Sequence, residues 1–246
     1  MRWAWHRGLL VGALAAAASA SPADAPDRFE AERQRMVRDI ERTQLMVNAE
    51  TGQPALSAAV ITAMGKVARH RFVPGDLQAR AYDNRPLPIG LGQTISQPYI
   101  VALMTDLLRV KAGDRVLELG TGSGYQAAVL AELGCEVYTI EIIEPLARRA
   151  AERLAQLGYQ QVQVKIADGY FGWPEHAPFD SIIVTAAADK IPPPLVNQLK
   201  VGGRIVIPVE SGFLTQTLTV VEKRVDGSVT TRQILPVRFV PLTGTR

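Results

Sequence analysis

The spacing of hydrophobic residues changes along this chain. Between residues 28 and 49, Met36, Ile40 and Val47 recur at helical spacing among Arg and Glu. That pattern predicts an amphipathic helix whose basic residues lie on a solvated face. Ala55 to Ala68 reads as a second helix. From residue 114, short apolar runs alternate with helical stretches. Strands are expected at 115–119, 136–140, 162–166, 181–185 and 203–208, and helices at 123–133, 144–157 and 191–199. Pro192, Pro193 and Pro194 open the last helix, where missing N–H groups cost little, and Gly202 and Gly203 are read as its stop. Thr215 to Val221 and Thr230 to Val240 alternate enough for an antiparallel strand pair that closes the sheet. The whole predicts an α/β fold with a doubly wound, mainly parallel sheet. It carries an N-terminal helical extension, and ligands are expected at the carboxyl ends of the strands.

Residues 69–97 break the rhythm. They show no clean period and carry Pro74, Pro86, Pro88, Gly90 and Gly92. They read as one long loop, which is uncommon inside a compact domain and often functional where it occurs. A helix resumes over Tyr99 to Leu108, with Pro98 near its first turn and Ser96 or Gln97 as its cap.

The first 20 residues form a different segment. Arg2, His6 and Arg7 precede the apolar run Gly8 to Ala18, and Ala18-Ser19-Ala20 has the small-x-small form of a cleavage site. The run is too short for a stable membrane anchor and reads as an export leader. The net charge is +3, and without Arg2 and Arg7 the 27 bases fall to 25 against 24 acids. A near-neutral body has no electrostatic footprint for nucleic acid. Cys135 is the single cysteine, so no intrachain disulfide forms; it reads as an inert, partly buried residue. Three histidines and one cysteine at these spacings make no zinc site, and no metal is expected.

Candidate chemistry begins at Val116 to Tyr125. A buried strand runs into Gly120-Thr121-Gly122-Ser123-Gly124, and a helix follows. Glycines let a backbone turn tightly beside a ligand, and a helix N-terminus offers N–H groups. The spacing is G-x-G-x-G rather than the dinucleotide G-x-G-x-x-G, and no basic residue stands by to meet a phosphate. A nucleoside ligand without phosphates fits better, S-adenosylmethionine foremost. Glu141 ends the second strand, 21 residues after Gly120, where an acid can hold ribose hydroxyls. Asp168-Gly169 ends the third, placed to accept from an adenine amino group. Thr185-Ala186-Ala187 ends the fourth with small residues that let a flat ligand approach. Read singly, Glu141 or Asp168 is equally a capping or solvated acid, and Ser96 a helix cap. His70 and His176 read as structural or surface residues.

The run Leu87-Pro88-Ile89-Gly90-Leu91-Gly92-Gln93-Thr94-Ile95-Ser96-Gln97-Pro98-Tyr99, with Val116 to Tyr125, resembles the protein-L-isoaspartate O-methyltransferase family. So do Arg71-Phe72-Val73-Pro74, Pro178 to Ala187 and Arg238-Phe239-Val240-Pro241-Leu242. The likeness spans residues 32–243. It implies a Rossmann-like methyltransferase fold, with residues 32–246 as a single domain after a leader at 1–20 and a linker at 21–31. Within it, 69–97 would be the active-site loop and 114–210 the cofactor core. It also implies methyl transfer from S-adenosylmethionine to the free carboxylate of L-isoaspartyl residues in damaged proteins, which starts repair through a succinimide. By resemblance Ser96 is catalytic. Gly120, Thr121, Gly122, Gly124, Glu141, Asp168 and Gly169 hold the cofactor, and Thr94, Ile95, Arg238 and Val240 meet the substrate. The expected partners are isoaspartyl proteins and peptides, bound by a monomer. The leader suggests a periplasmic or secreted location, where family members are usually cytoplasmic. A methyltransferase with another acceptor, a non-catalytic nucleoside-binding protein and a nicotinamide oxidoreductase are the competing readings.

Overall fold

The computed structural model describes Met1, residues 28–211 and residues 215–244. Residues 2–27, which hold nearly all of the expected leader and much of the linker, lie outside the described residues.

Helix α1 (Glu30–Met46) begins within the stretch read as linker. It buries Met36 and Ile40, as their spacing requires, and leaves Arg35, Arg38 and Arg42 exposed. Arg33 departs from the expected solvated face, because it is buried beside the Tyr82 hydroxyl. A short helix α2 (Asn48–Thr51) follows, and then α3 (Ala58–Lys66). The Ser57 side chain accepts from the Val60 N–H, which fixes the start of α3 three residues later than Ala55.

Residues 69–97 are not one structureless loop. They form two 3-10 turns, Arg69–Phe72 and Gly75–Arg80, and then a hairpin of β1 (Leu87–Gly90) and β2 (Gln93–Ile95). Helix α4 (Pro98–Leu108) follows at once. Gln97 stands at its N-cap without a side-chain bond, and the Tyr99 N–H donates to Asn84 Oδ1 at 3.1 Å. Ser96 is therefore not the cap. A residue fourteen positions upstream of Pro98 does that work, beyond the reach of a local pattern.

The α/β part runs β3 (Arg115–Leu119), α5 (Tyr125–Glu132), β4 (Glu136–Glu141), α6 (Glu144–Gln156), β5 (Gln163–Ile166), β6 (Phe179–Val184), α7 (Pro193–Gln198) and β7 (Leu199–Glu210). Strands β8 (Gln216–Lys223) and β9 (Val229–Val237) complete it. The sheet order is β5-β4-β3-β6-β7-β8-β9; β5 to β7 are parallel, and β8 and β9 join antiparallel. The chain starts this sheet at β3, builds to β5 on one side, then crosses to β6 on the other. That switch point is where open α/β sheets bind ligands. Gly202 and Gly203 do not stop a helix; they lie inside β7. A Cβ on Gly203 would lie 2.6 Å from the Asp180 carbonyl oxygen, so the close approach to β6 requires a glycine there.

Side-chain alternation divides the core between two faces. Val116, Ile183 and Val206 pack against α1, α3, α4, α5 and α6, while Leu117, Leu119, Ile182 and Ile205 pack with Leu195 of α7. Cys135 is buried, and burial raises its thiol pKa to about 12, which keeps it protonated and unreactive. His70 stacks on Phe29 and bonds the Tyr82 hydroxyl, and His176 packs on Tyr138.

Candidate active site

The glycine turn joins β3 to α5. Gly120 has φ +94°, and a Cβ there would lie 2.5 Å from Thr185 Oγ1. That hydroxyl donates to the carbonyls of Leu119 and Gly120, locking the end of β6 against the end of β3. The turn uses most of its own N–H groups. Gly120 and Thr121 donate to the Ile140 carbonyl, Gly124 to the Thr121 carbonyl, and Tyr125 to Ser123 Oγ. The Gly122 N–H donates to Glu141 Oε2 at 2.9 Å, and Glu141 Oε1 accepts from the Ile143 N–H. Glu141 thus braces the turn, and each oxygen keeps a lone pair for a ligand.

Glu118 was not singled out in the sequence. It stands on β3, fully buried, and neither carboxylate oxygen has a hydrogen-bond partner among the described residues. The neighbouring Thr139 hydroxyl is engaged with Thr121 Oγ1 at 2.7 Å. Burial raises the Glu118 pKa to about 8; the neighbouring Thr139 hydroxyl works against the rise and the Glu141 charge adds to it. The only sequence signal was an acid inside an otherwise apolar strand.

One cavity runs along the ends of β3, β4 and β6. Gly120, Thr121, Gly122, Glu118, Glu141, Gly169 and Thr185 line it from the sheet. Thr94, Ile95 and Ser96 line it from the end of the hairpin, and Val240 to Thr243 from the C-terminal segment. That segment is held by Ala187, whose N–H donates to the Val240 carbonyl and whose carbonyl accepts from the Leu242 N–H. No Lys, Arg or His lines this cavity among the described residues.

A second cleft of about 520 Å³ lies on the other side of Ser96. Gln97, Ile100, Phe239 and Arg238 line it, and no acid does among the described residues. Thr94, Ser96, Thr185 and Val240 line both spaces and so form the wall between them. Ser96 is half-buried, and no hydrogen bond engages its hydroxyl among the described residues. Its carbonyl accepts from Arg69 Nη2 at 2.7 Å.

Two expected cofactor residues lie off the cavity wall. Gly124, at φ +89°, is the N-cap of α5 and faces Leu154. Asp168 caps the turn after β5 by accepting from the Tyr170 N–H, and Gly244 lies against its carboxylate. The other expected cofactor residues line the first cavity. Thr94 and Val240 line both spaces, Ile95 the first and Arg238 the second.

Residues 40–246 match the family model of protein-L-isoaspartate(D-aspartate) O-methyltransferase (PCMT). The chain is 60% identical over 236 residues to protein-L-isoaspartate O-methyltransferase 1 of Cupriavidus necator, covering 96% of this chain and 91% of that one. It is 64% identical over 211 residues to protein-L-isoaspartate O-methyltransferase 2 of a Polaromonas species, covering 86% of this chain and all of that one. A solved protein-L-isoaspartate O-methyltransferase superposes with a TM-score of 0.75 at 27% identity, over 86% of this chain and 66% of that chain. A Plasmodium falciparum structure described as a putative protein-L-isoaspartate O-methyltransferase, in complex with S-adenosyl-L-homocysteine, shares the fold with a TM-score of 0.71 at 23% identity, over 86% of this chain and 98% of that one.

Proposed function

The chain belongs to the protein-L-isoaspartate(D-aspartate) O-methyltransferase family, and from that premise we propose how its two cavities divide the reaction. The enzyme transfers a methyl group from S-adenosylmethionine to the free carboxylate of L-isoaspartyl residues in damaged proteins. When bound, S-adenosylmethionine supplies a methyl group already made electrophilic by its sulfonium. The residues fit that ligand: two buried acids, Glu118 and Glu141, line the first cavity, Glu118 holding its proton at neutral pH until a cation binds beside it, and no basic side chain meets them among the described residues. A cationic nucleoside without phosphates matches such a wall. Across Ser96, the second cleft offers Arg238 and no acid, which suits a carboxylate. This change of charge across the Thr94–Ser96–Thr185 wall is the observation that carries the reading.

The acceptor carboxylate is ionised at neutral pH, so no general base is needed. What the residues supply is alignment and exclusion of water. The Ser96 hydroxyl donates to one acceptor oxygen and turns the other toward the methyl carbon. Arg238 holds the charge of the incoming peptide. With S-adenosylmethionine held by the first cavity, its methyl would pass from the sulfonium sulfur to the acceptor oxygen, giving a methyl ester and S-adenosylhomocysteine. The ester then closes to a succinimide without further help from the enzyme, as the adjacent backbone nitrogen attacks the ester carbonyl, loses its proton and expels methanol.

The deciding experiment follows labelled methyl from S-adenosylmethionine onto a peptide pair, one with isoaspartate and one with aspartate. Base-labile label on the isoaspartyl peptide alone is the expected result; equal label on both rejects the acceptor assignment. Ser96→Ala should lower kcat by about 10- to 100-fold, since a hydrogen bond to a charged group is lost. S-adenosylhomocysteine affinity should stay within about threefold in that variant, because Ser96 orients the acceptor. Unchanged turnover removes Ser96 from the mechanism. Glu141→Ala should weaken S-adenosylhomocysteine binding by ~1.5–3 kcal/mol, because a charged acceptor is lost and the turn it braces is released. Equal affinity of variant and parent by calorimetry rules that out.

A further inference from the structure

Arg69 has no exposed surface, yet no carboxylate among the described residues pairs with it. Its guanidinium is spread over three elements. Nε donates to the Ala81 carbonyl at 2.8 Å and Nη2 to the Ser96 carbonyl at 2.7 Å. The guanidinium carbon lies 4.8 Å from the centre of the Tyr125 ring, the first residue of the helix behind the glycine turn. Nη1 has no hydrogen-bond partner among the described residues. Burial lowers its pKa only to about 10, so the group stays charged at neutral pH.

A buried cation without a counter-ion is an expensive way to join two carbonyls. A neutral amide would bridge them at lower cost to stability. What the guanidinium adds is a rigid fork with fixed angles, stacked on an aromatic face. Here the fork holds the carbonyl of Ser96, one of the four residues that line both cavities. Rotation of the Ser96–Gln97 peptide would swing the Ser96 hydroxyl, and the Nη2 bond opposes that rotation.

We propose that Arg69 is a positioning residue for methyl transfer: it fixes the Ser96 peptide relative to the cofactor-side helix and thereby aims the Ser96 hydroxyl at the acceptor carboxylate. The inference rests on Ser96 orienting the acceptor, as described above. Arg69 lines neither cavity and touches neither reactant.

The test is a double-mutant cycle of Arg69→Lys and Ser96→Ala, read in two assays. Calorimetry with S-adenosylhomocysteine gives affinity and the fraction of competent protein. Methyl transfer to an isoaspartyl peptide gives kcat per competent site. Arg69→Lys keeps the charge and loses the fork. It should bind S-adenosylhomocysteine within about threefold of the parent at full stoichiometry, while kcat falls by about tenfold. In the Ser96→Ala background the same change should alter kcat by less than about twofold, because the group it aims is gone. An equal loss in both backgrounds, or unchanged kcat in Arg69→Lys, overturns the proposal. Ser96→Ala with full turnover overturns the reading of Ser96 first, whatever Arg69 does. Arg69→Gln is the second variant should Arg69→Lys fail to bind at full stoichiometry. Failure of both to bind makes Arg69 a folding residue and equally overturns the proposal.

Discussion

Gly120→Ala is expected to abolish measurable methyl transfer and to weaken S-adenosylhomocysteine binding by at least about 100-fold. A side chain at φ +94° is strained by ~1–3 kcal/mol before any contact is counted. The added Cβ would also meet Thr185 Oγ1 at 2.5 Å. Thr185 cannot retreat freely, because its hydroxyl bonds the Leu119 and Gly120 carbonyls and its side chain stands in the wall between the cavities. Either the turn rotates, taking the Gly122 N–H away from Glu141, or the wall shifts. Both outcomes damage the site. Calorimetry and the labelled-methyl assay check this directly; affinity within about threefold of the parent would refute it. Adding Thr185→Ala to Gly120→Ala should recover part of the binding, since the overlap goes and only the strain remains.

Glu118→Gln should raise stability at neutral pH while weakening cofactor binding. In the folded protein Glu118 holds its proton up to about pH 8, whereas in the unfolded chain it releases it near 4.5. Between these values the unfolded state binds fewer protons, so stability falls as pH rises through the window. Below the window the penalty is absent, and above it the penalty is constant. The amide does not titrate, so its contribution should be flat. Glu118→Gln should gain ~1–3 kcal/mol over the parent at pH 7, because only the parent must take up a proton from neutral solution as it folds. Thermal denaturation from pH 5 to pH 8 reads this difference.

Binding should show the opposite sign. A cationic ligand favours the ionised carboxylate, so the parent should release a proton on binding below about pH 8, and its affinity should rise from pH 6 to pH 8. Glu118→Gln should lose both the slope and about 10- to 100-fold in affinity at pH 8. Calorimetry in buffers of different ionisation enthalpy measures the proton directly. The same pH slope in parent and variant would assign the titration to another group.

Much of the α/β architecture could be read from the chain, because its cause is local. Strand and helix periods record which side of each element is buried, and the sheet's two faces follow from alternation along β3, β6 and β7. The glycine turn and Glu141 were legible for the same reason: a strand end, a tight turn and an acid at fixed spacing are all short-range features. The hairpin inside 69–97 was missed because two short strands around Gly90-Leu91-Gly92 leave too few residues to establish a period. Gly202 and Gly203 were misread because a close approach of neighbouring strands and a helix stop both select glycine.

The remaining features were decided by contacts between distant segments. Asn84 caps α4 in place of Ser96, which leaves the serine hydroxyl without a hydrogen bond among the described residues. Ala187 carries the C-terminal segment to the cavity, so Arg238 and Val240 meet a site built some fifty to a hundred and fifty residues earlier. Glu118 and Arg69 look like ordinary charges in the sequence; only packing strips them of water and leaves them without an opposite charge among the described residues, and a charge gains its unusual chemistry from that loss. The sequence by itself determined the sheet, the turn and the kind of ligand the strand ends could hold. Tertiary structure decided which charges are buried and which hydroxyl is free, because both depend on partners that no local pattern specifies.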